Sequence, residues 1–217
     1  MNKTIIRQHQ LFTWAGIIGP PLFVAVFMLE GGLRPGYDPF SMYVSALSLG
    51  ERGWVQITNF VVFGVLLLLF TRDVAVEFQS GKASRVGPAI LAIIAIGYLV
   101  SGPFVMDPDG TPVQQMTLHG LVHAIAGAVV FSLMPVSFFV FLRRFRKDPR
   151  WQPIQGWTLL LGVVCALAVI ALSALSKPPD LQNSFNAWFG LIQRMAIIPF
   201  MLWVFIFALR LKRITSS

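Results

Sequence analysis

The chain has 217 residues, of which 56% are hydrophobic and only 12% are charged, with 19 phenylalanines and 6 tryptophans. Its mean hydropathy of +0.72 excludes an ordinary soluble domain, and several apolar runs approach the roughly 20 residues that cross a bilayer as a helix. The net charge of +8 would suit a nucleic-acid-binding protein, but the basic residues stand at the ends of apolar runs and not on one polar face. We therefore predict a polytopic membrane protein that binds no nucleic acid.

Six apolar runs are predicted to form an all-α, six-transmembrane-helix bundle, a single integral membrane domain over residues 1–217. The first run follows a short polar tail and has no cleavage site after it, so we expect an uncleaved helix, kinked at Pro20 and Pro21. The single cysteine, Cys165, lies in the fifth run, which excludes an intramolecular disulfide and indicates packing. The predicted helices cover about residues 11–29, 54–70, 86–106, 116–142, 157–175 and 187–209.

The connection between the first two helices is rich in Gly, Pro and Ser. Its first half contains Arg34-Pro35-Gly36-Tyr37-Asp38-Pro39, which is typical of turns. Its second half, about residues 42–49, is predicted to be a short interfacial helix. Tyr37, Tyr43 and Trp54 would then lie at the level of the lipid headgroups, where amphipathic rings are favoured.

Basic residues are distributed unequally between the two sides of the predicted bundle. The tails and loops of one side hold 13 Lys or Arg residues, whereas those of the other side hold only Arg34, Arg52 and Lys177. The positive-inside rule therefore places both termini in the cytoplasm. Arg194 is the one basic residue inside a predicted span.

Two histidines, His119 and His123, lie four residues apart near the start of the fourth helix. This spacing places them on one face, about 6 Å apart in rise. Asp107 ends the third helix at the same level. Because ionisable groups are costly within a span, this arrangement predicts a functional site in the outer half of the bundle.

Further polar residues fall at similar levels, whereas the inner half is expected to contain Leu, Ile, Val and Phe. Arg194 has two alternative roles there. It forms a buried ion pair with Asp107, Glu30 or a loop carboxylate, or its guanidinium fork recognises an anionic headgroup. The candidate ligand-binding residues are Arg194, Gln193, Glu30, Tyr98 and Ser101.

The histidine pair supports two hypotheses about chemistry. In one, His119, His123 and Asp107 hold a divalent metal such as zinc, and a metal-bound water attacks an ester or amide. In the other, the histidines brace the bundle, each against a different partner. No third histidine is available on that side, because His9 is predicted to be cytoplasmic. Ser45 is a candidate nucleophile, with capping within its loop as the alternative role.

Five short motifs follow one another over nearly the whole chain: Arg34-Pro35-Gly36-Tyr37-Asp38-Pro39, Ser45 with Leu47, Asp107, His119 with His123, and Gly190-Leu191-Ile192-Gln193-Arg194. Together they resemble the bacterial six-helix membrane family catalogued as domain of unknown function 998. The resemblance implies an integral protein of the bacterial cytoplasmic membrane and assigns no biochemistry.

A more distant similarity is to the superfamily of alkaline ceramidases and adiponectin-type receptors. In that superfamily a Ser, an Asp and histidines that include an HxxxH pair form a zinc hydrolase site, and the matching positions here are Ser45, Asp107, His119 and His123. The chain departs from that pattern, because its HxxxH pair lies on the fourth of six helices instead of the last of seven. The further histidine of the pattern is also absent.

Three functions remain open from the sequence. The favoured one is an inner-membrane protein whose polar site binds a lipid-like or small ligand, or stabilises a membrane complex, without a required cofactor. Its partners would be membrane lipids, another membrane protein or a second copy of the chain. The alternative is an intramembrane, zinc-dependent hydrolase of a lipid-like ester or amide. A transporter is third, because no pair of interrupted helices repeats along the chain.

Overall fold

The computed structural model of the chain describes residues 3–79, 85–176 and 179–216, with side chains from Phe12 onward except that of Pro179. These residues are helical and contain no strand, which confirms the all-α class. The α-helices, numbered in chain order, are α1 (Lys3–Leu33), α2 (Gly53–Glu77), α3 (Val86–Ser101), α4 (Leu118–Phe145), α5 (Gln152–Leu175), α6 (Pro179–Phe185) and α7 (Phe189–Ser216). Four 3₁₀ turns lie between them, at Val44–Ser48, Val113–Gln115, Pro149–Trp151 and Asn186–Trp188.

Five segments of the described chain are long and apolar enough to cross a membrane. They are Phe12–Leu33, Gly53–Glu77, Leu118–Phe145, Pro149–Leu175 and Asp180–Ser216. Helix α3 has 16 residues, which corresponds to about 24 Å at 1.5 Å per residue, somewhat less than a hydrocarbon core of roughly 30 Å. The protein is therefore a helical membrane bundle whose third helix is shorter than predicted.

All helices except α6 form a closed ring in the order α1, α2, α3, α4, α5, α7. Each helix packs against the next, and α7 packs back against α1. We call the end of the ring that carries the α1–α2 and α3–α4 connections the loop end, and the opposite end, where α1 begins and α7 finishes, the basic end. The first and last helices of the chain are thus neighbours.

The third helix stops five residues before its predicted end because of Gly102-Pro103. Pro103 has no amide hydrogen to donate to the preceding turn, so the regular helix ends at Ser101, although Gly102 keeps a helical backbone conformation. The chain then runs across the loop end without regular structure to Pro112. The carbonyl group of Phe104 lies in this stretch and is free to bond outside the helix.

Aromatic rings fill the interior of the bundle toward the basic end. The ring centroids of Trp203 and Phe138 are 4.6 Å apart, and the ring of Phe145 is stacked on Trp151 at 4.8 Å. Both tryptophans are fully buried. Close packing of such large apolar groups excludes water and stabilises this half of the ring.

One buried carboxylate interrupts this apolar half, contrary to the sequence prediction. Helix α2 continues to Glu77, about two turns beyond the predicted end near residue 70, and so carries Asp73 into the interior. Asp73 is 4% exposed, and its Oδ2 accepts a hydrogen bond of 2.8 Å from the hydroxyl of Thr13. The predicted packing role of Cys165 agrees with its complete burial.

The α1–α2 loop, residues 34–52, folds into the loop end of the ring. Its 3₁₀ turn Val44–Ser48 contacts α1, α2 and α7, and Leu47 is completely buried. Tyr37 is also buried, whereas Trp54 remains exposed as predicted for an interfacial ring. The predicted short helix is present as the 3₁₀ turn, and it is packed into the ring because Val44, Ala46 and Leu47 are apolar and the helices offer them a buried site at this end. Its level relative to the lipid headgroups stays a prediction.

Candidate functional site

Helix α7 holds the α1–α2 loop through its first two turns. The amide of Leu191 donates a hydrogen bond of 2.8 Å to the carbonyl oxygen of Phe40. The amide of Val44 donates one of 2.8 Å to Oε1 of Gln193. The loop and α7, which lie about 150 residues apart in the chain, thus form one unit.

Arg194 is the centre of this attachment. Its Nη1 donates to the carbonyl oxygens of Met42 (3.0 Å) and Gly190 (2.9 Å), and its Nη2 donates to the hydroxyl of Tyr37 (2.5 Å). The guanidinium carbon lies 5.9 Å from the ring centre of Phe27 and 5.7 Å from that of Tyr37. Neutral oxygens and aromatic faces therefore stabilise a cation that is only 6% exposed.

The predicted ion pair between Arg194 and a carboxylate is not formed among the described residues. Its hydrogen bonds go to neutral oxygens, and Asp107 and Glu30 are engaged elsewhere. Asp38 of the loop feels the charge of Arg194, although the hydroxyl of Ser41 is the main cause that lowers the pKa of Asp38. Sequence reasoning looked for a carboxylate because a buried charge needs compensation, and here carbonyl dipoles supply it.

Glu30 pairs instead with two arginines of the α1–α2 loop. Its carboxylate oxygens lie 3.0 Å from Nη2 of Arg34 and 2.7 Å from Nη2 of Arg52. Arg34 also donates to the carbonyl oxygen of Leu49 (2.9 Å). Glu30 therefore fastens the loop to α1.

Asp107 caps the start of α4. Its Oδ2 accepts from the amide of Thr117 and its Oδ1 from the hydroxyl of Thr117, both at 2.8 Å. The same hydroxyl oxygen accepts from the amide of Gly120 (3.0 Å). A Cβ atom at Gly120 would overlap the Asp107 carboxylate, so glycine is required where the carboxylate covers the first turn of α4.

The two histidines have different environments. His123 is 9% exposed, and its Nδ1 lies 2.8 Å from the carbonyl oxygen of Phe104. Because a carbonyl oxygen only accepts, Nδ1 carries the proton, and Nε2 of the neutral ring is an acceptor. His119 is exposed and packs against the ring of Phe104 at 5.3 Å.

The residues that zinc would need do not converge. Zinc sites in proteins use at least three side-chain ligands, and the parts of the chain that the structure describes contain no group of three or more His, Cys, Asp or Glu side chains suited to a metal ion. His119 lies against a phenyl ring and Asp107 is committed to Thr117. These residues fit bracing roles better than a shared metal.

A pocket of about 260 Å³ opens at the loop end between the α1–α2 loop and the α3–α4 connection. We call it the surface pocket. It brings together Ser45, Asp107 and His123, three of the four predicted catalytic candidates. The hydroxyl of Ser45 has no protein partner within the described residues. Its further lining includes Tyr43, Met106, Asp109, Thr111, Met116 and Ala124.

A smaller cavity of about 40 Å³ lies deeper, inside the ring. This inner cavity contains three predicted ligand-binding residues, Tyr98, Ser101 and Gln193, and it shares only His123 with the surface pocket. The hydroxyl of Tyr98 has no protein partner within the described part of the chain. A polar cavity of this size suits one or two water molecules. His123 therefore lies between the inner cavity and the surface pocket.

An apolar groove of about 520 Å³ lies on the outside of the ring. It runs along α1, α5 and α7 and is bordered by Phe40 of the α1–α2 loop. Arg194 contributes to its wall, but the guanidinium is turned toward Met42 and Tyr37. The groove thus offers apolar contact and no polar group to orient a ligand.

The structure places the predicted site residues in three groups. Ser45, Asp107 and His123 line the surface pocket, and Tyr98, Ser101 and Gln193 line the inner cavity with His123. Arg194, Glu30 and His119 belong to neither.

Sequence reasoning missed two residues of the surface pocket, Asp109 and Tyr43. Asp109 was not singled out from the sequence, and Tyr43 was assigned only to the interface. The signal for Asp109 was its position two residues after Asp107. Gly110, with φ of 85°, makes the turn that folds this segment toward Tyr43.

One family model matches most of the chain. The family model described as protein of unknown function (DUF998) matches residues 17–210. No curated protein matches the chain, and no solved structure matches it.

Proposed function

The chain belongs to the family described as protein of unknown function (DUF998), and from its own geometry we propose that it binds a lipid-like ligand at the loop end. The observation that carries this proposal is the surface pocket, in which Ser45, Asp107, Asp109 and His123 are placed around about 260 Å³. Few convergent polar groups in a concave, otherwise apolar site are typical of ligand binding.

The position of the pocket supports an amphipathic ligand. Met106, Met116 and Ala124 give it apolar walls, and Leu121 and Ile125 of α4 are exposed beside it, at 44% and 57%. In a membrane bundle such exposed side chains face lipid tails. A ligand with its polar group in the pocket can therefore extend its chain along α4.

The second candidate is a hydrolase of a lipid-like ester or amide, favoured by the shared pocket of Ser45 and His123. The Phe104 carbonyl fixes the imidazole tautomer that leaves Nε2 unprotonated, which is the form of a general base for a serine hydroxyl. Asp107 takes no part in orienting this histidine, because Thr117 occupies both of its oxygens. This chemistry requires no zinc.

The test of ligand binding uses a substitution at the pocket mouth and a matched control one helical turn away. Ala124 lines the surface pocket and is exposed, so Ala124→Phe is expected to fill much of it without disturbing the core. Ala128, also exposed, does not line the pocket, and Ala128→Phe is the control. We expect native mass spectrometry in a bacterial polar lipid extract to show a lipid adduct on wild type and Ala128→Phe, reduced at least about tenfold in Ala124→Phe.

The histidines provide a second arm of the same experiment. His123→Asn is expected to weaken the adduct, and His119→Ala is expected to leave it unchanged, with or without chelator. Equal adducts on wild type and Ala124→Phe would overturn the proposed function. Metal at one equivalent per chain, lost in both histidine variants, would instead support the zinc hypothesis. Release of a cleaved lipid by wild type, absent in Ser45→Ala, would favour the hydrolase.

We also propose that the loop end faces the outside of the cytoplasmic membrane, with both termini in the cytoplasm, as the distribution of basic residues indicates. In a Cys165→Ser background, a cysteine at exposed Asn183 is expected to react with an impermeant maleimide in intact cells. Cysteines at Gly81 and Ser217, which lie outside the described residues, are expected to react only after permeabilisation. Labelling of Gly81 in intact cells, with Asn183 protected, would contradict this orientation.

A further inference from the structure

The lining of the surface pocket indicates the charge of its ligand. Asp107 and Asp109 both line the pocket, and none of its lining residues is Lys or Arg. Asp109 has no hydrogen-bonding partner among the side chains that the structure describes. Burial, and to a smaller extent the charge of Asp109, raise the pKa of the Tyr43 phenol. The charge of Asp109 therefore acts on Tyr43, which lines the same pocket.

The position in which an anion would normally bind is already taken. The start of a helix attracts anions through its free amide groups and its dipole. At the start of α4, the carboxylate of Asp107 and the hydroxyl of Thr117 occupy the amides of Thr117 and Gly120. A phosphate or carboxylate entering the pocket would meet the negative charge of Asp107.

His123 provides an independent indication, because it is a buried polar side chain with one atom left for a ligand. Its Nδ1 is committed to the Phe104 carbonyl, and the backbone of Ser101 also interacts with the ring. Nε2 forms no hydrogen bond with a described residue, and in this tautomer it accepts and does not donate. The pocket is therefore lined by two carboxylates and an imidazole, and Asp107, although bonded to Thr117, keeps lone pairs that can accept further hydrogen bonds.

The nearest arginines do not change this balance. Arg34 is held by Glu30 and the Leu49 carbonyl, and Arg194 by the Met42 and Gly190 carbonyls. Neither lines the surface pocket. Their hydrogen-bonding groups are therefore engaged outside the pocket.

We infer that the polar group of the ligand is an ammonium, so that the pocket takes a long-chain amine in preference to an acid, an alcohol or a phosphate. This inference rests on the proposed function, since it assigns a chemical class to the ligand of the same pocket. An ammonium supplies three donors for the three acceptor groups present and one positive charge for Asp109, which has no ion pair among the described residues. The ring of Tyr43 is a further favourable neighbour for a cation.

The experiment compares probes that share one chain and differ in the head. Dodecylamine, dodecanoate and dodecanol are titrated into the purified protein in an uncharged detergent at pH 7, where the amine is protonated. Binding is measured by microscale thermophoresis, and ethanolamine serves as a head without a chain. We expect dodecylamine to bind at least about tenfold more tightly than dodecanoate or dodecanol.

Two variants separate the pocket from nonspecific attraction of a cation to the protein. Asp109→Asn keeps the shape and removes one charge, and we expect it to weaken dodecylamine binding about fivefold or more. Asp180→Asn removes an exposed carboxylate of α6 that does not line the pocket, and we expect it to bind dodecylamine as wild type does. Equal losses in the two variants would overturn the inference.

Failure of this inference and failure of the proposed function give different results. If dodecanol or dodecanoate binds as tightly as dodecylamine, and Ala124→Phe abolishes that binding, the pocket holds a lipid-like ligand and the ammonium inference is wrong. If Ala124→Phe reduces the binding of none of the three probes, the proposed function itself is wrong. Binding of ethanolamine as tight as that of dodecylamine would support the ammonium and overturn the lipid-like character of the ligand.

Discussion

Replacing Arg194 with methionine is expected to detach the α1–α2 loop from α7 and to lower the free energy of unfolding by an amount on the order of 3 kcal/mol. The guanidinium donates to Met42, Gly190 and Tyr37, and hydrogen bonds from a charged donor contribute about 1.5–3 kcal/mol each. Removal of a desolvated charge offsets part of this loss. The net effect remains large, because the carbonyls of Met42 and Gly190 and the hydroxyl of Tyr37 all lose a charged donor.

Hydrogen exchange over residues 34–52 and thermal unfolding in the same detergent measure this effect. The control is Arg143→Met, at an exposed position in the last turn of α4. We expect faster exchange at the loop amides, above all at Val44, in Arg194→Met only. If the loop amides exchange at the same rate in Arg194→Met and Arg143→Met, the attachment of the loop does not depend on Arg194.

Replacing Gly190 with alanine is expected to destabilise the same attachment by about 1–3 kcal/mol, as overpacking usually does. A Cβ atom here would lie 2.7 Å from the carbonyl oxygen of Pro39 and closer still to that of Met42. These are backbone atoms, so no side chain can rotate away. The loop would have to rise from α7 and stretch the hydrogen bond between Leu191 and Phe40.

Gly127 on α4 provides the control, since nothing lies within 4 Å of a Cβ atom at that position. Alanine there should be neutral or stabilise the helix by about 0.5–1 kcal/mol relative to glycine. The melting temperatures of the two variants are measured in the same detergent. Gly127→Ala reports the effect of helix propensity alone, and Gly190→Ala reports the additional effect of the close backbone contact. A melting temperature of Gly190→Ala equal to that of Gly127→Ala would contradict the contact.

The helices were largely predictable from sequence because lipid requires long apolar runs. The errors have local causes. Pro103 ends α3 early, whereas Asp73 did not end α2, because the hydroxyl of Thr13 is available to it inside the ring. Hydropathy measures the cost of a charge in lipid, and it contains no information about a partner supplied by another helix.

The sequence predicted at which end of the bundle the site residues lie, but not which of them share a pocket. Asp107, His123 and Ser45 were each singled out, and they line one pocket. His119 was paired with His123 by its spacing of four, yet α4 directs one imidazole outward and the other inward. Partners such as the Phe104 carbonyl belong to irregular backbone, and neither periodicity nor spacing predicts which side chain such a group will meet.

The closure of the ring between α1 and α7 has a consequence for biosynthesis. Helix α1 is synthesised before α7, so the face of α1 that packs against α7 has no partner until α7 has been made. The hydrogen bonds that seat the α1–α2 loop join residues about 150 positions apart, so the loop cannot be seated before α7 is present. A chain truncated before α7 is therefore expected to insert into the membrane with an accessible, protease-sensitive loop.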